Sequence, residues 1–397
     1  MRLGDLCSKI GSGATPLGGE SAYQTSGVAL VRSQNIYNDG FQYDGLAFLG
    51  DAQAAALDNV TLRENDVLLN ITGDSVARAC VLPSRVLPAR VNQHVAIIRP
   101  KPSVLNHRFL HFWLTSPLTQ EFLLQLASAG ATRKALTKGM IEVLDLPDIP
   151  KADQDAIAGC LGALDDKIDL NRRTSQTLAA LARTLFAHHF PPDPEEQLPA
   201  SWTLMGLDEL ATFTNGLPMQ KHRPTGTQSL PVIKIAELRR GITNKAERCA
   251  QDIPSTFVVN DGDLLFSWSG SLEVVVWCGG CGGLNQHLFK VTSSRYPKWL
   301  VYQWLHHHLE DFRDIANYKA TTMGHIQRHH LREAKVAVPP PDQLAELGKI
   351  FAPLLASFIS NSIESRTLAA LRDALLPKLL SGEIRVPHAE KLVEATT

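Results

Sequence analysis

The sequence predicts two α/β (α+β) globular domains in tandem, joined by two long helices that form an antiparallel coiled coil. Three observations support this fold class. A heptad pattern of apolar residues occurs twice at a constant offset of 190 residues (347 − 157 = 190 and 375 − 185 = 190). Short motifs of the first half recur in the second, and a proline-rich, acidic stretch at 191–196 separates the halves.

The composition is that of a multidomain chain without a membrane span. A length of 397 residues with 44% hydrophobic content exceeds what one domain requires. The formal net charge of −1 argues against a generally basic nucleic-acid-binding surface, although it permits local basic patches. Six scattered cysteines fit a reducing cytosol better than a disulfide framework. No run approaches the roughly 18 apolar residues of a membrane span, so we expect a cytoplasmic protein.

The first domain, residues 1–150, mixes short strands with later helices. Runs rich in β-branched residues predict strands at Val28–Val31, 66–71 and 95–98. Helical patterns follow at 109–115 and 118–126. Pro147 and Pro150 then end the domain before the first long helix, because proline disfavours helical backbone in the preceding residue.

The two long helices, 151–190 and 339–381, carry the repeated heptads. Steps of four and three residues place the apolar positions on one stripe, which requires a partner helix. If the helices pair antiparallel over about 50 Å, Asn171 and Asn361 lie opposite one another and fix the register. Asp165 and Asp166 are expected on the exposed side. The predicted seam is Ile157, Leu161, Leu164, Ile168, Asn171, Leu178 and Leu185 with Leu347, Phe351, Leu354, Phe358, Asn361, Leu368 and Leu375.

A linker at 191–200 leads into a second domain, 201–338, and a C-terminal tail follows at 382–397. The run 263–270 repeats 66–73, and Asn285-Gln286-His287 repeats Asn92-Gln93-His94. The offsets are 197 (263 − 66) and 193 (285 − 92), whereas the helices keep 190. The globular domains therefore carry insertions and deletions, while the helix seams do not. Two unrelated core helices are the alternative, which the matched polar interruptions disfavour.

Taken in order, these motifs resemble the specificity subunit of Type I restriction-modification enzymes. The resemblance rests on Gly11-Ser12-Gly13-Ala14-Thr15-Pro16, on 32–36, 66–74 and 92–94, and on the C-terminal run 376–384. Pro150 with Gln154, and Pro339 with Gln343, belong to the same set. The second domain departs from the pattern, since Arg32-Ser33-Gln34-Asn35 becomes Lys234-Ile235-Ala236-Glu237 and the glycine turn becomes Asn215-Gly216-Leu217-Pro218.

This resemblance implies a non-catalytic DNA specificity subunit with two target-recognition domains. Each domain would read half of a bipartite, asymmetric site and so direct adenine methylation and restriction by partner subunits. The implied partners are double-stranded DNA, two methyltransferase subunits and, in larger assemblies, two restriction subunits, with no membrane. The chain itself would hold no cofactor, whereas S-adenosylmethionine, ATP and Mg would belong to the partners.

Base readout requires side chains that pair donors with acceptors, which Arg, Asn and Gln provide. Lys, Arg and Thr in the loops 131–138 and 319–325 suit phosphate contacts. For Asn92 and Asn285 the alternative is a buried amide that holds a turn, because base readers should differ between the domains; the loops 15–24 and 219–228 do differ. The candidate DNA-binding residues are Ser12, Thr15, Arg32, Gln34, Asn70, Thr72, Asn92, Gln93, Thr132, Arg133, Lys134, Lys138, Asn215, Lys221, Lys234, Ser267, Asn285, Gln286, Lys319, Thr321 and Thr322.

Motifs for catalysis or metal binding are missing from the sequence. It contains no phosphate loop, no dinucleotide-binding turn and no nucleophile elbow. Cys278 and Cys281 lack the second pair that a structural zinc site needs, so we interpret them as a surface turn. Adjacent histidines such as His329 and His330 are expected to point apart. The rival hypotheses are a scaffold that tethers protein partners without binding DNA, and an unrecognised nuclease or methyltransferase active on its own.

Overall fold

The computed structural model describes residues 1–128, 134–318 and 324–394 and divides into two compact units. Unit 1 comprises Met1–Asp166 with Ala369–Thr397, and unit 2 comprises Lys167–Leu368. Each unit therefore contains one globular head together with a part of both long helices. No helix in the described ranges is both long and apolar enough to cross a membrane.

The first head is built from a four-stranded, a three-stranded and a two-stranded sheet, flanked by helices. Its elements are α1 (Leu3–Leu6), β1 (Cys7–Ser12), β2 (Val28–Val31), β3 (Ile36–Tyr37), β4 (Gly40–Phe41), β5 (Ala47–Leu49), α2 (Asp51–Ala56), β6 (Val67–Asn70), β7 (Ala79–Val81), β8 (Ala89–Val91), β9 (Val95–Pro100), α3 (His107–Thr115), α4 (Pro117–Ser128) and α5 (Lys138–Glu142). The predicted strands and helices of this head all form.

The larger sheet of the first head is antiparallel with the order β1-β9-β6-β7. The second sheet has the order β5-β2-β8, and β2 runs parallel to β8. Apolar side chains of both sheets, such as Leu30 and Leu68, bury in one core. The turns that connect these strands are therefore anchored to a packed core.

The first long helix, α6 (Lys151–His189), follows. The second head then contains β10 (Thr203–Gly206), α7 (Leu207–Leu210), β11 (Thr212–Asn215), β12 (Ser229–Ile233), α8 (Ile235–Arg240), β13 (Arg248–Ala250), β14 (Val258–Val259), β15 (Leu264–Ser267), β16 (Val274–Val276), β17 (Gly282–Leu284), β18 (Leu288–Thr292), α9 (Lys298–His307), α10 (Leu309–Tyr318), α11 (Arg328–Glu333) and β19 (Lys335–Val338). The chain ends with the second long helix, α12 (Pro341–Leu380), and α13 (Val386–Glu394).

The second head repeats the topology of the first. Its antiparallel sheet has the order β11-β18-β15-β16, which matches β1-β9-β6-β7 strand for strand. The strand β12 runs parallel to β17, as β2 does to β8. A pair of helices follows the last sheet strand in both heads, α3 with α4 and α9 with α10. The predicted duplication is thus confirmed at the level of the fold.

The two long helices pack antiparallel. In unit 2 the Asn171 side chain contacts Glu364, whereas further along α6 the ring of Phe186 lies 6.5 Å from that of Phe351. In unit 1, Asp165 contacts Arg372. Of the predicted seam residues, Ile157, Leu161, Leu164, Asn171, Leu347, Phe351, Leu368 and Leu375 are buried, and Ile168, Leu178, Leu185, Leu354, Phe358 and Asn361 are half-buried.

Two expectations about the helices are corrected. Asn171 donates from Nδ2 to Oε2 of Glu364 at 2.7 Å rather than pairing with Asn361, because the register places position 364 at this level. Asp166 is exposed as expected and accepts two hydrogen bonds from Arg108, whereas Asp165 is half-buried and pairs with Arg372 at 2.6 Å. The predicted tail contains the helix α13.

Candidate nucleic-acid interface

A tight turn between β8 and β9 carries the Asn92-Gln93-His94 motif. The Asn92 side chain is buried, and its Oδ1 accepts a hydrogen bond from the backbone N–H of His94 at 3.0 Å. The Nδ1 of His94 and the hydroxyl of Thr72 are hydrogen-bonded at 2.7 Å. Asn92 thus holds the turn, while Thr72 orients the imidazole.

The same arrangement occurs in the second head between β17 and β18. Asn285 is equally buried, and its Oδ1 accepts from the backbone N–H of His287 at 3.2 Å. The hydroxyl of Ser269, at the position equivalent to Thr72, is hydrogen-bonded to Nδ1 of His287 at 3.0 Å. The repeated motif therefore corresponds to a repeated side-chain cluster.

A glycine packs directly against this turn in each head. The backbone N–H of Gly13 donates to the carbonyl of Val95, and a Cβ at this position would lie 2.1 Å from the carbonyl oxygen of Val91. In the second head a Cβ on Gly216 would lie 2.2 Å from the carbonyl oxygen of Asn285. The glycine turn and the Asn-Gln-His turn thus form one structural feature, which requires glycine because the backbones approach so closely.

The predicted phosphate-binding loops end beside the same feature. In the first head, Thr72 forms a bridge with Ala135, and Leu136 donates its backbone N–H to Ile71. In the second head, Ser269 forms the equivalent bridge with His325. Each head therefore brings a glycine turn, an Asn-Gln-His turn and the end of a polar loop together on one surface.

Residues 1–180 match the family model of the Type I restriction modification DNA specificity domain. The chain is 23% identical over 323 residues to the Type I restriction enzyme MjaIX specificity subunit of Methanocaldococcus jannaschii, covering 75% of this chain and 74% of that protein. It is 19% identical over 444 residues to the HindI specificity subunit of Haemophilus influenzae, covering 90% and 94%.

The fold agrees with that of a solved relative. The crystal structure of a Type I restriction-modification S subunit from M. genitalium has a TM-score of 0.56 at 15% identity, covering 96% of this chain and 95% of that chain. Over most of its length the chain is similar to Type I restriction-modification specificity subunits. Members of this family are non-catalytic, and the chemistry lies in partner subunits.

The segment after β2 is held by its own side chains. The Oδ1 of Asn35 accepts a hydrogen bond from the backbone N–H of Arg32 at 3.0 Å. The guanidinium of Arg32 lies over the ring of Tyr23 and donates to the carbonyl of Gly45, to which Gln34 also donates. In the second head, Glu237 accepts from the backbone N–H of Lys234. The sequence departure at this segment therefore preserves the local structure.

The predicted DNA-binding residues differ in accessibility. Asn92 and Asn285 make the contacts of turn-holding amides, which is the alternative that the sequence left open. Five of the predicted residues, Thr132, Arg133, Lys319, Thr321 and Thr322, lie outside the described residues. Ser12, Thr15, Gln34, Gln93, Lys134, Lys138, Asn215 and Lys221 are exposed, and Arg32, Thr72, Lys234 and Gln286 are half-buried.

Two predicted DNA contacts are corrected. Asn70 and Ser267, at the ends of β6 and β15, each have 0% exposure. Asn70 donates to the carbonyl of Ser33 at 2.9 Å, and Ser267 donates to the carbonyl of Ser271 at 2.7 Å. Both side chains therefore stabilise loops from inside the heads.

Sequence reasoning missed the imidazoles of the Asn-Gln-His turns. His94 is exposed and His287 is half-buried, and each is oriented by a hydroxyl from the neighbouring strand. Ser269, which supplies that hydroxyl in the second head, was missed as well. The sequence did contain a signal for both. The histidine is repeated together with the asparagine in the two Asn-Gln-His motifs, and Ser269 in the run 263–270 corresponds to Thr72 in the run 66–73.

The cysteines do not form a reactive or metal-binding group among the described residues. Burial raises the pKa of Cys7 and Cys80 to about 12. Cys278 is half-buried with a raised pKa, again through burial, and Cys281 is exposed. This agrees with the interpretation as a turn with free thiols.

The reason for excluding a metal at His329 and His330 is corrected. Ligand atoms of these two residues and Glu333 lie within 4.8 Å of one another, so the adjacent histidines do not point apart. These three side chains lie on one short helix, and two of them are exposed. Because a structural zinc site uses four ligands, we assign no metal here.

Proposed function

We propose that this chain is the DNA sequence-specificity subunit of a Type I restriction-modification complex and recognises a bipartite, asymmetric site. One observation carries the proposal. The same head fold occurs twice, with the same turn cluster, whereas the exposed loops beside the cluster differ in sequence. A repeated framework with different loops suits the reading of two different half-sites.

The partners follow from the same duplication. Each unit presents one head and a part of both long helices, so a partner that docks on one unit finds a similar surface on the other. This supports two adenine methyltransferase subunits, with restriction subunits joining the complex. S-adenosylmethionine, ATP and Mg belong to these partners, and the proposal places the complex in the cytoplasm with its DNA.

The charge of the chain supports action within an assembly. A formal net charge of −1 gives the isolated chain little general attraction for the phosphate backbone. The exposed cations Lys134 and Lys138 lie in the first head, and Lys221 lies in the second. We therefore expect specific binding from the complex with methyltransferase subunits rather than from the isolated chain.

The proposal is tested by methyl transfer in a reconstituted system. Purified methyltransferase subunits with tritiated S-adenosylmethionine are incubated with plasmid DNA, with and without this chain. The proposal expects incorporation into DNA only when the chain is present. The chain alone, supplied with S-adenosylmethionine or Mg, should neither methylate nor cleave DNA, which separates the proposal from the enzymatic rival. Incorporation that is independent of the chain would favour the scaffold alternative.

A further inference from the structure

One polar cluster is retained on the surface of both heads although the surrounding loops have diverged. In the first head it consists of Thr72, Gln93 and His94. In the second it consists of Ser269, Gln286 and His287. The hydroxyl is Thr in one head and Ser in the other, so the chemistry is kept even where the residue changes.

The geometry of the cluster is nearly the same in both heads. The hydroxyl lies 2.7 Å from Nδ1 of His94 and 3.0 Å from Nδ1 of His287. On the other side of the ring, Nε2 of His94 lies 3.4 Å from the amide nitrogen of Gln93, and the equivalent distance at His287 is 3.3 Å. With Nδ1 engaged by the hydroxyl, Nε2 and the glutamine amide lie side by side.

The turn itself does not depend on this imidazole, although in the second head the His287 ring is half-buried and lies 5.9 Å from the ring of Trp268. The turn is already held by the buried Asn92 or Asn285, which binds the backbone N–H of the histidine and not its ring. His94 and Gln93 are exposed, and hydrogen bonds at the surface contribute little to stability because water competes for them. A ring that is kept in both heads, although the turn is held through the backbone, indicates a contact that both heads make.

The two heads differ where sequence would be read, so a shared contact should be independent of sequence. Phosphate oxygens are the part of DNA that is the same at every site, and amide and imidazole N–H groups bind them with short hydrogen bonds. The end of the polar loop lies next to the cluster, since Gly73 donates its backbone N–H to the carbonyl of Lys134. The Lys134 side chain, which is exposed, adds positive charge beside the first cluster.

We infer that His94 and His287, oriented by Thr72 and Ser269, are equivalent anchors that each bind a DNA phosphate. With the hydroxyl donating to Nδ1, the ring carries its proton on Nε2, so Nε2–H and the neighbouring glutamine amide N–H both donate to the phosphate oxygens rather than to one another. The anchors set the position of each head on the duplex, and the loops 15–24 and 219–228 then reach the bases. This inference rests on the proposed function, since it concerns the DNA surface of a specificity subunit.

The test uses the complex of the full chain with methyltransferase subunits. Fluorescence anisotropy measures its affinity for a duplex that contains the methylated site and for a scrambled duplex of the same length. H94A and H287A should each weaken both affinities by a similar factor of about ten, because a hydrogen bond to a charged group is lost. T72V, which removes only the orienting hydroxyl, should weaken both about threefold. H388A, at an exposed histidine of α13, is the matched control and should change neither affinity.

The outcomes separate the inference from the proposed function. If the unaltered complex does not distinguish the two duplexes, the proposed function itself fails. Suppose instead that the unaltered complex does distinguish them. If H94A and H287A then bind both duplexes as tightly as H388A does, and melt at the same temperature as the unaltered chain, only the anchor inference fails. A loss confined to the specific duplex, with an altered methylated sequence, would make the histidines base readers and would also overturn it.

Discussion

The fully buried carboxylate of Asp66 accepts hydrogen bonds from both Nε and Nη2 of Arg99, each at 2.7 Å. Asp66 begins the repeated Asp-to-Gly run, and its Oδ2 also accepts from the backbone N–H of Arg63. In the second head the equivalent carboxylate, Asp263, pairs with Lys290 at 2.8 Å. The first residue of the motif thus stabilises the sheet in both heads.

Removing one partner of this buried pair should be costly. D66A leaves the Arg99 guanidinium without its carboxylate, and we expect a loss of about 3–5 kcal/mol in the free energy of unfolding. R99K, which keeps a cation at this position, should lose only about 1 kcal/mol because one charged contact remains. Urea denaturation followed by circular dichroism measures both.

The control for this prediction is an exposed pair. E346A disrupts the contact between Glu346 and Lys349 on the surface of α12, and it should change stability by less than about 0.5 kcal/mol. If D66A cost no more than E346A, the structural role assigned to Asp66 would be wrong.

The glycine turns should reject even one methyl group. In G13A the new Cβ would overlap the carbonyl oxygen of Val91, so the two turns must move apart, at a cost of about 1–3 kcal/mol. G216A should behave alike in the second head. Thermal denaturation measures the loss. G11A is the matched control, because a Cβ at this position meets nothing within 4 Å, and equal melting temperatures for G11A and G13A would contradict the close packing.

The polar residues of the helix seam should not be equivalent. N171A removes the donor to Glu364 from a buried position, and we expect a loss of about 1 kcal/mol in the free energy of unfolding. N361A, at the position that the sequence predicted to be its partner, should change stability by less than about 0.5 kcal/mol. Urea denaturation compares the two variants. Equal losses would favour the predicted asparagine pair and a different register.

Acid should destabilise unit 2 through the histidines of α9 and the residue after it. Burial lowers the pKa of His306 to about 4, with the charges of Arg183 and Arg313 acting in the same direction, and burial also lowers the pKa of His307 and His308. An unfolded histidine binds its proton near pH 6.5, whereas the folded group at His306 does so only near pH 4. The unfolded state therefore gains protons first, and stability falls as the pH drops through this window.

Melting temperatures at pH 7.5 and pH 5 test this prediction. H306Q should lose less stability between the two values than the unaltered chain, although His307 and His308 keep part of the effect. H188A, at an exposed histidine of α6, should show the full loss. A loss in H306Q as large as that in H188A would contradict the assignment to His306.

Periodic and repeated features could be predicted from the sequence. The heptads revealed the helix seam, because a buried stripe must recur every three to four residues. The repeats revealed two heads with one topology. The register of the two helices could not be predicted, because nothing in the sequence distinguishes Glu364 from the polar residues around it. Only the packing of the helices brings Glu364 next to Asn171. The partner predicted for Asn171 was therefore wrong.

The sequence predicted which residue types form the candidate site, but not which of their side chains are buried. Asn70 and Ser267 are polar residues in repeated motifs, and nothing in their sequence shows that they face inward. Likewise, nothing in the sequence shows that the rings of His94 and His287 are each hydrogen-bonded to a hydroxyl. The helix α13 contains Pro387 in its first turn, where proline is tolerated.

The central claim is that this chain decides which DNA sequence its partners modify. The most direct measurement is methylation mapping of genomic DNA from a host that carries the chain and methyltransferase subunits, compared with the same host lacking only the chain. The account predicts a split motif whose adenines are methylated only when the chain is present. A methylome that stays the same with active methyltransferase subunits, whether or not the chain is present, would contradict it.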